Sequence, residues 1–175
     1  MKRARLLAAL TIFLVVCAHG FESVSLEYKV KAAFLLNFAR FVEWPPSAFP
    51  DASAPIVICI VGEDPFGEQL TRMVADEKVE GRRIEVQHPG GDAAGNCHIL
   101  YISRSDQEEL STLFSNPRQG VLLVGEGEQF VHRGGAIGFV TENRRVRFDV
   151  NMKAASEAGL RFSSKLLMVA RSVEK

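Results

Sequence analysis

Tryptophan occurs once, tyrosine twice and histidine four times in these 175 residues, and the charged side chains cancel, with 21 Lys plus Arg against 21 Asp plus Glu. That balance excludes a bulk electrostatic pull toward nucleic acid. Cysteine, with three, is too scarce for a disulfide-dense scaffold or a thiolate-rich zinc site. His88, His98 and His132 show none of the close spacings of a zinc motif, so no metal is expected. Neither G-x-G-x-x-G nor a P-loop is present. The two glycine turns that follow apolar runs, Gly62-Glu63-Asp64-Pro65-Phe66-Gly67 and Gly125-Glu126-Gly127-Glu128, place carboxylates where a phosphate would sit. No cofactor is therefore expected. Ser164-Lys165 are adjacent rather than spaced as S-x-x-K, and Glu108 and Glu109 are neighbours that do not aim at one point. No catalytic residues are expected, because no nucleophile, base and orienting group converge.

What is present begins with a leader. Lys2, Arg3 and Arg5 precede an apolar run from Leu6 to about Ala18, and Ala18-His19-Gly20 supplies small residues for cleavage. The run is shorter than the roughly 20 apolar residues of a membrane anchor, and Val16 before Cys17 is a poor lipoprotein signal. Residues 1–20 are read as a cleaved signal peptide and 21–175 as one domain, exported to the periplasm. The remaining chain of about 155 residues can bury a proper core. Without the leader cations it is mildly acidic.

Cys59 and Cys97 are the cysteines beyond the leader. In an oxidising compartment two such residues pair more often than not. Two buried thiols are the alternative; a Cys97 nucleophile with His98 as base is disfavoured because strand neighbours point to opposite faces.

Along the chain, KAAFLLNFARFVEWP (residues 31–45) extends back to Leu26 as an amphipathic helix. At 100° per residue, Leu26, Val30, Phe34, Phe38, Phe41 and Trp44 form the expected buried stripe, widened by Leu35 and Val42, with Lys29, Arg40 and Glu43 opposite. Asn37 falls within the apolar arc, a candidate buried amide in need of partners. Pro45 and Pro46 stop the helix. Strands are expected at Ile56 to Val61, Ile84 to Gln87, His98 to Ile102 and Val121 to Val124, with helices opened by Asp64-Pro65 and by the capping box Ser105-Asp106-Gln107-Glu108. Ala136 to Thr141 and Arg145 to Val150 form a hairpin around Glu142-Asn143-Arg144, with the alternation of an edge strand. Asn151 caps a helix ending at Gly159, and Ser163 or Ser164 opens a last helix to about Val173. The fold class is α/β: a three-layer α/β/α sandwich with a mostly parallel sheet and a C-terminal antiparallel hairpin.

Two surfaces attract attention. Phe130 and Arg133 lead into the hairpin, which carries Arg144, Arg145 and Arg147, a basic patch suited to protein contact. A cleft at the strand C-terminal ends near Glu63, Asp64, Gly125 and Glu126 is the alternative, with an acidic rim favouring a cationic or neutral ligand.

KAAFLLNFARFVEWP, ICIVGEDPFG, GVLLVGEGEQFVHRGGAIGFVTENRRVRFDVN and AASEAGLRFSSKLLMVA, in that order, resemble the YfiR family of small exported bacterial proteins. The resemblance implies a periplasmic α/β/α domain that represses an inner-membrane diguanylate cyclase through its periplasmic portion, lowering cyclic-di-GMP. It also implies a Cys59–Cys97 disulfide. A second, C-terminal cysteine pair found in some members has no counterpart here. The expected partner is the periplasmic domain of such a cyclase or of a sensor kinase, with a homodimer as a further assembly and no nucleic acid.

Overall fold

A computed structural model of the chain describes residues 26–89, 96–104, 114 and 118–175. The leader, the 90–95 connection and the helix expected from Ser105 lie outside the described residues, apart from Phe114. Helix α1 spans residues 26–41 and leads into β1 (Val42–Glu43) and a 3-10 turn at Pro46–Ala48. Then follow β2 (Ile56–Val61), α2 (Glu68–Val74), β3 (Lys78–Val79), β4 (Arg82–Gln87), β5 (Ile99–Ile102) and β6 (Leu122–Glu126). The chain closes with α3 (Gln129–His132), β7 (Ile137–Glu142), β8 (Arg145–Asn151), α4 (Met152–Glu157), β9 (Arg161–Phe162), α5 (Ser164–Val169) and β10 (Ser172–Glu174).

Eight strands form one sheet in the order β10-β8-β7-β6-β5-β2-β4-β3. The central pairs, β4 to β2, β2 to β5, β5 to β6 and β6 to β7, are parallel, whereas β7–β8 and β3–β4 are antiparallel. Continuous β-branched runs such as IVICIV suit strands buried on both faces. One face carries Ile56, Ile58, Ile60, Ile99, Tyr101, Leu122, Val124, Phe139 and Phe148 against α1, α2 and α5. The other carries Val57, Cys59, Leu100 and Ile102, with α3 and Phe114 over its β6–β7 region. The fold is thus α/β with helices on both sides of a mostly parallel sheet, as expected.

α1 exists where the periodicity places it, but it is rotated roughly a third of a turn from the expected stripe. Its buried side chains are Lys31, Ala32, Leu35, Leu36, Phe38 and Ala39, while Leu26 is 62% and Val30 37% exposed. Phe34 and Phe41 are half-buried on the flank. Small and aliphatic residues let the helix lie close to the sheet, and the rings pack sideways against β7 and β8: Phe38 lies 5.7 Å from Phe139 and 5.2 Å from Phe148.

Local signals explain most element ends. Asn151 accepts from the Ala154 N–H and caps α4, Ser163 accepts from Leu166 and caps α5, and Gly159 takes the left-handed conformation that ends α4. Asp64 acts one turn earlier than expected: its Oδ1 accepts from the Phe66 and Gly67 N–H groups, and Gly67 is the cap of α2. The last helix stops at Val169 rather than near Val173, because Ser172–Glu174 pairs in parallel with β8. β8 is therefore an interior strand, and Asp149, expected on a wet face, is buried and held by Arg171 and Ser172.

Candidate functional site

Among the parallel strands β2 is the point where the chain turns from one direction of the sheet to the other, since it pairs with β4 on one side and β5 on the other. A crevice opens beyond the C-terminal ends of β2 and β5, where Glu63, Ser103 and Arg104 follow the strands. α1 roofs it. Two adjoining depressions of about 610 and 580 Å³ share Arg104 and Glu126. The first is lined also by Glu27, Lys31, Gly127 and Thr141, the second by Tyr28, Glu63, Tyr101 and Ser103.

Lys31 is the organising charge. It is 2% exposed, its Nζ lies 2.6 Å from Glu27 Oε1 and 3.0 Å from Glu126 Oε2, and it sits 4.4 Å from the Tyr28 ring centroid. An ammonium buried to that extent is tolerable only when paired and hydrogen-bonded. The Tyr101 hydroxyl donates to the other Glu126 oxygen, and the Thr141 hydroxyl donates to Glu27 at 3.1 Å. Burial pushes the Glu27 carboxyl up, but its hydrogen bond to Lys31, the Lys31 charge, Thr141 and Arg104 together bring it below the usual range. Burial and the neighbouring Glu126 charge push Tyr28 up to about 12 and raise Tyr101 further. Both phenols stay protonated at neutral pH and serve as fixed donors. The arrangement holds the buried ammonium in place.

The residues expected from sequence fall in several places. Cys59 and Cys97 form a disulfide with Cα atoms 5.7 Å apart, packed among Val57, Leu100 and Ile102. It joins β2 to the start of β5, and a loop of that length stabilises the fold by about 4 kcal/mol on the chain-entropy estimate. Asn37 is half-buried rather than buried, because the rotation of α1 moves it to the flank. Phe130 is 1% exposed, with its ring against Gly125 and Gly135, so it is core and not a contact residue. Arg133 is exposed at the end of α3, over the Phe114 ring at 5.0 Å. Arg144 and Arg145 are exposed at the hairpin tip, and Arg147 is half-buried behind them. The register runs from Ile137 opposite Val150 to Glu142 opposite Arg145, which separates the α3 end from the tip by about 17 Å. The basic patch is thus a tip cluster plus a distant Arg133.

Of the four residues expected around the acidic cleft, Glu63 and Glu126 line it. Asp64 instead caps the turn and lies 2.8 Å from His88, and Gly125 faces the opposite side, under Phe130. Sequence reasoning missed Glu27, Tyr28, Lys31, Tyr101 and Arg104. One signal was available: Lys31, Leu35, Phe38 and Val42 share a helix face at spacings of four, seven and eleven.

Comparison with curated proteins finds no match. The family described as YfiR/HmsC-like matches residues 28–171, a span running from the Tyr28 that walls the crevice to the Arg171 that holds Asp149. With nearly all of the described fold inside that match, the chain belongs to the YfiR/HmsC-like family.

Proposed function

We propose that the chain is a periplasmic, non-enzymatic regulator that binds the periplasmic domain of an inner-membrane diguanylate cyclase and holds it in an inactive state, lowering cyclic-di-GMP. The observation that carries this reading is family membership over residues 28–171. The buried Cys59–Cys97 bridge suits an oxidising compartment, and among the described residues no helix is long and apolar enough to cross a membrane. Repression requires tighter binding to the inactive than to the active cyclase; equal affinity would shift nothing.

The contact surface in this reading is the hairpin tip, Arg144 and Arg145 backed by Arg147, with Arg133 as a separate point. Asn143 and Arg144 both have positive φ, 51° and 60°, which matches the twist of a two-residue hairpin. An arginine in that conformation costs about 1–2 kcal/mol that glycine would avoid. Retained strain at an exposed cation favours a role for the side chain. The test is binding of the purified chain to the cyclase's isolated periplasmic domain. Arg144→Glu with Arg145→Glu weakens binding at least about tenfold, whereas a double variant that binds as well as the wild type removes the tip from the interface.

A further inference from the structure

The crevice beyond β2, β5 and β6 has a chemistry that partner docking at the hairpin does not use. Its lining carries Glu27, Glu63, Glu126 and Glu128 against Lys31, Arg104 and the Arg171 paired with Glu128 at 3.3 Å, one more carboxylate than cation among these residues. Lys31 shows what these groups accommodate: its ammonium is held by two carboxylates and a tyrosine face. Tyr101 and Tyr28, braced edge-on by Phe66 at 4.8 and 5.7 Å, form a stiff aromatic side to the second depression. Glu63 stands exposed on its rim at the end of β2, and Arg104 stands exposed at the end of β5, where both depressions meet. Such concave, mixed apolar and polar space at the turning point of a parallel sheet is where small ligands sit.

We propose that this crevice binds a small organic molecule through a primary ammonium head, seated against Glu63 and Glu126 beside Tyr28 and Tyr101, with an oxygen-bearing tail toward Arg104. The ammonium complements the excess charge and finds the same donor-accepting surroundings as Lys31. Depressions of about 600 Å³ suit a molecule of a few to a dozen heavy atoms. Occupancy would press on α1 through Tyr28 and Lys31 and on β6 through Glu126, giving a ligand a mechanical hold on the helix that roofs the sheet. The proposal does not rest on the regulatory reading, because binding is measured on the chain alone.

The test is a titration of the folded, disulfide-bonded chain followed by amide NMR, with ethanolamine and putrescine as probes, choline as a cation without N–H donors, and glycolate as an anion. The expected result is saturable shifts at Tyr28, Ser103, Arg104 and Gly127 with both amines and none with glycolate or choline. Glu63→Gln weakens binding of both amines about fivefold, whereas Arg104→Gln weakens ethanolamine, whose hydroxyl oxygen it no longer holds, and tightens putrescine, whose second ammonium it no longer repels. Neither surface substitution threatens folding, and opposite effects of Arg104→Gln on the two amines are not what a merely structural role would produce. Absence of saturation with ethanolamine, shifts mapped away from the crevice, equal shifts with choline or glycolate, or an Arg104→Gln effect of the same sign on both amines overturns the proposal.

Discussion

The ring of Phe130 occupies the space that side chains at Gly125 and Gly135 would need: a Cβ added at either glycine would lie 2.1 Å from a ring atom. Neither glycine has positive φ, so close approach, not backbone freedom, makes glycine necessary there. Gly125→Ala and Gly135→Ala each cost about 1–3 kcal/mol by overpacking, and Phe130→Ala costs about 3–5 kcal/mol. In the Phe130→Ala background, Gly125→Ala becomes nearly neutral, because the clash has gone. Urea denaturation of the two single variants and the double variant checks this; additive losses would refute the wedge.

Lys31→Met leaves Glu27 and Glu126 facing each other without their shared cation. Removing one partner of a buried ion pair costs about 3–5 kcal/mol. Adding Glu126→Gln to Lys31→Met restores part of the loss, since the orphaned charge is removed. Chemical denaturation at neutral pH reads both values, and a double variant less stable than Lys31→Met would show that the pairing is not what stabilises the cluster.

His98 is buried against Phe49, with ring centroids 4.4 Å apart; its Nδ1 accepts from the Val57 N–H at 3.1 Å and its Nε2 donates to the Ala48 carbonyl at 3.1 Å. That pattern requires the neutral ring. Burial holds the imidazole below its usual range, offset in part by the Ala48 carbonyl and reinforced by Arg82. The unfolded chain takes up a proton near pH 6.5 that the folded chain refuses, so stability is greatest above that pH and declines as pH falls toward the folded value. The slope from this group approaches about 1.4 kcal/mol per pH unit. Denaturation midpoints of wild type and His98→Gln from about pH 7.5 to about pH 5 separate the two: the variant starts lower and loses less on acidification. A parallel fall in both would assign the effect elsewhere.

Arg144 offers a trade between stability and contact. Arg144→Gly relieves the left-handed strain and raises stability by about 1 kcal/mol, while removing a cation from the hairpin tip. Thermal unfolding is expected to shift upward as affinity for the cyclase domain drops. A gain in stability with unchanged affinity would separate the turn from the interface.

How much was legible in the sequence divides along physical lines. β2, β7, β8 and the caps at Asn151 and Ser163 were readable because β-branched runs, strict alternation and short polar caps act locally. The disulfide was legible from two cysteines in a chain whose sequence reads as exported. The rotation of α1 was not readable, because hydropathy treats Phe34 and Leu35 alike, whereas the sheet admits the smaller side chain at close range. β1, β3, β9 and β10 are two or three residues long, and such pairings are decided by the partner strand. Ser172–Glu174 shows this, since it continues the apolar pattern of α5 yet is captured by β8. The crevice was half visible: its glycine turns marked Glu63 and Glu126, but Lys31, Tyr101 and Arg104 come from distant segments that only the fold assembles.

Cyclic-di-GMP, measured in cells of the source organism lacking this gene and complemented with wild type or with Arg144→Glu plus Arg145→Glu, tests regulation most directly. The nucleotide level is expected to rise on deletion, return with the wild type and stay high with the double variant exported in equal amount. An unchanged level on deletion, with a membrane-bound cyclase present and active, would contradict the proposed role.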